Sequence, residues 1–124
     1  PQPFINKYKT PETLGTDRIA AMAACSFWHP HTACLVIDAG TCITYDCLDE
    51  HNTYTGGAIS PGLTMRLSAM HQFTGKLPLV EPIHQADASG TDTRSALMQG
   101  AKYGMIYEAE GFITYYQNKY PALK

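Results

Sequence analysis

Residues 33–62, ACLVIDAGTCITYDCLDEHNTYTGGAISPG, constrain the fold more than any other part of the chain. They hold a continuous apolar run at 34–37, a β-rich stretch at 42–47 and another around 54–59. Parallel neighbours need a crossover of a dozen or more residues, and the connections here are far shorter. Consecutive strands are therefore expected to pair as three antiparallel strands.

Helical spacing brackets this sheet. Thr16 is placed to cap a helix over about residues 16–29, where Ile19, Met22, Ala23 and Phe27 recur at three-to-four spacing until Pro30 breaks the run. After Pro61, Leu63, Leu67 and Met70 space a second helix that Gly75 ends. TDTRSALMQGAKYGMIYEAEGFITYYQNKY reads as one long helix, its apolar stripe running from Ala96 and Leu97 through Ala101, Met105, Ile106 and Ala109 to Phe112 and Ile113. Gly100, Gly104 and Gly111 inside it cost about 1 kcal/mol each against Ala, which close packing against another helix would offset. The segment KLPLVEPIHQADASG is a proline-containing connection with one brief strand at Leu79. PQPFINKYK has two prolines and no period, so residues 1–15 are expected to be an extended entry segment and 16–124 the domain proper. The result is an α/β domain with helices packed on a curled sheet, and no internal repeat.

A hydrophobic content of 44% over 124 residues supplies a real core, which excludes a disordered chain. Nine Lys and Arg against eleven Asp and Glu leave no basic field to hold a nucleic-acid backbone. No apolar run approaches the roughly 20 residues a membrane span needs, and no leader pattern opens the chain, so a cytoplasmic location is expected and no membrane partner. Cys25, Cys34, Cys42 and Cys47 lack the short-loop setting of a secreted disulfide scaffold and are read as reduced thiols. The chain opens on Pro1 and closes on YPALK just after a helical pattern, as a piece of a longer protein would.

Several short stretches can carry chemistry. In LGTDRIAA, Asp17 sits at a helix mouth where the macrodipole and Arg18 would keep it ionised, able to accept a hydrogen bond from a substrate hydroxyl; capping and pairing with its neighbour is the other reading. In DAGT, Gly40 is free to take positive φ and Thr41 offers a hydroxyl beside bare backbone N–H groups, a turn that can cradle a phosphate or simply close a hairpin. Asp46 alternates with Thr44 and Cys42, giving Asp38 polar company across the hairpin or merely facing solvent. GGAISPG allows close approach of backbone to a ligand and aims a helix N-terminus at it, or punctuates a corner. In GTDT, capping alone accounts for Thr91, Asp92 and Thr93. Cys25, His29, His31 and Cys34 are irregularly spaced for zinc. His51, His71, His84 and Arg94 are read as surface residues, and no Walker, nucleophile-elbow or zincin motif is present.

Taken in order, LGTDRIAA, VIDAGTCITYD, YTGGAISPGL and GTDTRSALMQG resemble type III pantothenate kinase, of the acetate kinase, sugar kinase, Hsc70 and actin superfamily. The resemblance runs from Tyr8 to about Gly111 and implies a ribonuclease H-like, actin-like ATPase domain. It assigns pantothenate binding to Gly15, Thr16, Asp17 and Arg18, with Asp17 as the base, and adds Thr93 and Tyr8 as substrate contacts. It places a monovalent cation, K⁺ or NH₄⁺, on Asp38, and ATP on Thr41 beside Gly40, with Mg²⁺ bridging the phosphates.

The implied reaction moves the γ-phosphoryl of ATP to the hydroxyl of pantothenate, the first step of coenzyme A synthesis, in a cytoplasmic homodimer. The glycine-notched long helix is a dimer surface or an internal packing face. A regulatory protein of the Bvg accessory factor type is the alternative, and a related kinase with another acceptor a third reading. The family's N-terminal Asp-x-Gly-Asn-Thr motif and its later Thr-Gly-Gly element are missing, and Cys42 stands where alanine is common. The chain is thus expected to be about the middle half of the enzyme, and inactive when isolated.

Overall fold

Tight turns set the sheet. In the computed structural model, which describes residues 2–83 and 87–124, β2 (Cys34–Ala39) turns into β3 (Cys42–Leu48) through Gly40 and Thr41. β3 turns into β4 (Thr53–Pro61) through residues 49–52. The second turn is built by Asp49, whose Oδ1 accepts the N–H groups of His51 at 2.9 Å and Thr53 at 2.8 Å while Asn52 takes a φ of 61°.

The sheet is mixed and has four strands rather than three antiparallel ones. A two-residue strand β1 (Ile5–Asn6) adds to β4 in parallel, Ile5 opposite Thr53 and Asn6 opposite Tyr54, giving the order β1-β4-β3-β2. So short a strand leaves no alternation to read, and its prolines mask it. A 3-10 turn at Pro11–Thr13 then leads to α1 (Thr16–Trp28). α2 (Leu63–Gln72) and α3 (Thr93–Lys119) complete the elements.

The cap of α1 is Gly15, not Thr16, which is already the first helical residue. Its inward stripe is Arg18, Met22 and Cys25, at i, i+4 and i+7, while Phe27 is 81% exposed. Leu79 belongs to no strand; Pro78 and Pro82 on either side remove the ladder donors a strand would need. His84 lies outside the described residues. In α3 the buried positions are Ser95, Leu97, Met98, Gln99 and Ala101, whereas Ala96 and Ile106 are exposed. Apolar residues recur on several faces of that helix, so periodicity alone does not select the inner one.

The chain divides into two compact units: the described parts of Pro1–Asp38, Thr44–Ile59 and Phe112–Lys124, and those of Ala39–Ile43 and Ser60–Gly111. In the first, Phe4, Leu14, Met22, Leu48 and Tyr54 form the core between α1 and the sheet. On the sheet's other face Tyr45 stacks on Phe112 at 4.2 Å. In the second, Leu67, Val80, Leu97, Met98 and Ala101 form a separate core. Among the described residues no helix is long and apolar enough to cross a membrane.

Candidate active site

The acid and base that are neighbours in LGTDRIAA go separate ways. Arg18 turns into the first unit and closes on Asp46 of β3, with Nε 2.9 Å from Oδ2 and Nη2 2.6 Å from Oδ1. The two residues are 7% and 1% exposed, so of the two readings open at Asp46 the solvent-facing one does not hold. A carboxylate is tolerated there because both oxygens are engaged and the Tyr54 hydroxyl donates to Oδ1 at 2.7 Å. The hydrogen bond to Asp46 outweighs burial and raises Arg18 above its usual pKa. Burial, then the bond to Asp46, pushes the Tyr54 phenol well above its usual range.

Asp17, in contrast, is exposed in the first turn of α1. Its ion-pair partner is not Arg18, as the sequence suggested, because the guanidinium is committed to Asp46. The Asp17 carboxylate lies over Gly15, where a Cβ would overlap Oδ1. Negative charge next to the unpaired N–H groups of a helix start is favoured by the macrodipole, and no side chain caps this start. What results is an accessible carboxylate on a turn whose next residue is fixed in the core.

Tyr8 joins the same cluster. Its ring stacks on Tyr54 at 5.9 Å and lies under the Arg18 guanidinium, 5.6 Å from the ring centre. The double glycine of YTGGAIS accommodates it: Gly56, with φ of 128°, would place a Cβ 3.3 Å from the Tyr8 ring. At Gly57 a Cβ would run into the Tyr45 carbonyl and come within 2.9 Å of Asp46 Oδ1. Gly56 thus makes room for the cluster, and Gly57 for the backbone of the neighbouring strand.

In the second unit, the β2–β3 turn meets the start of α2. The Gly62 N–H donates to the Thr41 carbonyl at 2.9 Å, and a Cβ on Gly62 would collide with the Gly40 and Thr41 carbonyls. Gly40 does not use its freedom of positive φ; among the described glycines only Gly56 does. A cleft of about 450 Å³ is lined by Gly40, Thr41, Leu63, Thr64, Met65 and Ser68. No side chain caps α2, and the cleft beside its start carries the hydroxyl residues Thr41, Thr64 and Ser68 next to the apolar Leu63 and Met65.

Thr93 opens α3, but Asp92 caps it. The Asp92 Oδ1 accepts the Ser95 N–H at 2.8 Å and the Ser95 hydroxyl at 2.9 Å, and these bonds hold its carboxyl below the usual range. Thr93 is exposed and the helix start does not need its hydroxyl. Asp38 is an exposed carboxylate at the end of β2. No group of three or more His, Cys, Asp or Glu side chains among the described residues converges as a metal site. Cys25 and Cys34 pack in the core of the first unit, while His29 and His31 face solvent.

Sequence reasoning missed Asp46 as Arg18's partner, and Tyr54 altogether. The available signal was a lone arginine on the stripe that also carries Met22 and Cys25, since an inward cation requires an inward anion.

The model of the type III pantothenate kinase family matches residues 2–115. Curated proteins named type III pantothenate kinase are similar: one from Bacteroides fragilis YCH46 is 54% identical over 121 residues, covering 98% of this chain and 50% of that protein. One from Phocaeicola vulgatus is 47% identical, covering 99% and 51%. One from Flavobacterium johnsoniae is 46% identical, covering 95% and 48%. The chain thus spans about half the length of these relatives. A solved Campylobacter jejuni structure assigned to the Baf family of transcriptional activators matches with a TM-score of 0.56 at 25% identity, covering 89% of this chain and 51% of that one.

Proposed function

The chain belongs to the type III pantothenate kinase family, and from that premise we propose that the protein carrying it phosphorylates pantothenate with ATP, in the entry step to coenzyme A. The observation that carries this reading is the exposed Asp17 carboxylate held over Gly15 beside an immobilised Arg18. Asp17 would accept the hydrogen bond of the primary hydroxyl and take its proton. A loose phosphoryl-transfer transition state asks the protein for in-line positioning and charge compensation more than for a strong base, which a positioned carboxylate can supply.

Tyr8, Gly15 and Thr16 are the proposed acceptor contacts of the first unit. The family resemblance names Arg18 with them, and since its guanidinium is buried on Asp46 its proposed part is to hold the turn that carries Gly15 and Thr16. The resemblance alone assigns Thr93 to the same ligand. Gly40 and Thr41, at the uncapped start of α2, are proposed to hold phosphate oxygens of ATP; the backbone donors and hydroxyls of that cleft support this. The Asp38 carboxylate is a suitable hard ligand for K⁺ or NH₄⁺, although one carboxylate supplies only part of such a shell. Mg²⁺, when bound, would neutralise charge on the phosphates. The same reading takes the domain as ribonuclease H-like, the protein as a cytoplasmic homodimer, and neither nucleic acid nor membrane as a partner. The curated relatives carry the kinase name, and the regulatory alternative is not adopted.

The test is ADP release by the intact protein, coupled to a spectrophotometric readout, with and without pantothenate. Release that depends on pantothenate and collapses in Asp17→Asn with substrate binding retained is the expected result. Release independent of pantothenate, or an unchanged kcat in the variant, would overturn it.

A further inference from the structure

We propose that Asp46 and Tyr54 are positioning residues for the acceptor site, acting on Asp17 through Arg18. The inference rests on the reading of Asp17 as the proton acceptor.

Neighbouring residues in a helix point about 100° apart, so fixing the direction of one fixes the rotation of the turn and the direction of the next. Arg18 is fixed from two strands. Both carboxylate oxygens of Asp46, on β3, take its Nε and Nη2 groups, and Tyr54, on β4, donates to Asp46 Oδ1 and so holds the carboxylate itself. Tyr8 stacks on Tyr54 and lies beneath the guanidinium. The first turn of α1 has no side-chain cap of its own, and Arg18 is the buried side chain of that turn, so the clamp acts where the helix is otherwise least held.

A purely structural origin accounts poorly for the arrangement. A buried ion pair contributes little net stability over apolar residues of similar volume. Here the chain also gives up a side chain inside a strand, since Gly56 makes room for Tyr8. Glycines weaken a strand. A cluster that adds little to stability and demands a glycine in a strand is explained by what it orients, and the residue it orients is the exposed acid next to Arg18.

The experiment compares wild type, Tyr54→Phe and Asp46→Asn in the intact protein, each also combined with Asp17→Asn, by steady-state kinetics and thermal melting. Tyr54→Phe keeps the ion pair and removes one hydrogen bond, so it remains informative should Asp46→Asn fail to fold. The expected result is a loss in kcat of about 10-fold for Tyr54→Phe and up to about 100-fold for Asp46→Asn, with the nucleotide KM unchanged, because a displacement near 1 Å costs on that order. In the Asp17→Asn background neither change should cost further rate, whereas its melting shift should persist, since the two act through Asp17 as one unit. Full kcat in folded Tyr54→Phe, or losses that multiply with Asp17→Asn, would overturn the proposal while leaving the kinase reading intact. A wild type without pantothenate-dependent ADP release would overturn both.

Discussion

The Asp17 carboxylate folds back over Gly15 so closely that a methyl group on Gly15 would overlap Oδ1, and within 4 Å among the described residues it would meet no other side chain. Gly15 has φ of −59° and ψ of 144°, which any residue adopts, so the glycine is required by the acid and not by the backbone. Gly15→Ala is therefore expected to cost about 1 kcal/mol, the ordinary difference between Gly and Ala at a helix cap. Turnover should fall by about 10- to 100-fold as the carboxylate is displaced. Melting together with steady-state kinetics on the intact protein checks this; a large loss of stability with kcat preserved would contradict it.

The Arg18–Asp46 pair leads to an asymmetric set of stabilities. Removing one partner leaves a buried charge alone, and Asp46→Ala or Arg18→Ala should each destabilise by about 3–5 kcal/mol. Replacing the whole polar cluster with Arg18→Met, Asp46→Leu and Tyr54→Phe should recover most of that loss, because no buried polar group is then left unsatisfied. Urea unfolding of the three proteins at neutral pH measures the difference, and a combined variant as unstable as the single ones would refute the account.

How much of this was legible in the sequence depends on the range of the interaction. β2, β3 and β4 and the three helices follow from local runs and short connections, which is where periodicity is informative. β1 could not be read, because two residues carry no period and its partner Thr53 lies far along the chain. The candidate residues Asp17, Thr41 and Thr93 stood out as motifs at helix or turn starts. The partner of Arg18 did not, since Asp46 is 28 residues away and sits in a strand whose alternation equally fits solvent exposure. The double glycine was legible as a close approach, but what approaches is the Tyr8 ring at Gly56 and the Tyr45 carbonyl at Gly57.

The cysteines make stability fall on the alkaline side. Burial pushes the Cys25 thiol up to about 12 and the Cys47 thiol up to about 11, from 9.0. A group that holds its proton more tightly when folded contributes fully below its unfolded pKa and loses that contribution as pH climbs to the folded one. Stability should therefore hold up to about pH 9 and decline between 9 and 12, with Tyr54 adding in the same direction. Thiol reactivity checks it in a second way: exposed Cys42 should react rapidly with Ellman's reagent at pH 8, and buried Cys25, Cys34 and Cys47 only on unfolding. Four equally fast thiols in the native protein would exclude the burial argument.

In the second unit, Gly62 and Thr41 separate the architecture of the proposed phosphate site from its chemistry. Gly62 is extended, with φ of −74° and ψ of −179°, so its backbone accepts any residue. The obstacle is steric: a Cβ would collide with the Gly40 and Thr41 carbonyls, which are backbone atoms and cannot rotate away. Gly62→Ala must therefore push the start of α2 off the turn and break the 2.9 Å bond to the Thr41 carbonyl, at a cost of about 1–3 kcal/mol typical of overpacking. Thr41→Ala removes only an exposed hydroxyl and should change stability by less than about 0.5 kcal/mol. If the uncapped helix start and that hydroxyl hold phosphate oxygens, both variants raise the KM for ATP in the intact protein and leave the pantothenate KM alone. Only Gly62→Ala should also lower the melting point. Thr41→Ala with an unchanged ATP KM would remove the turn from the nucleotide site, because an exposed hydroxyl on a hairpin has no other work there.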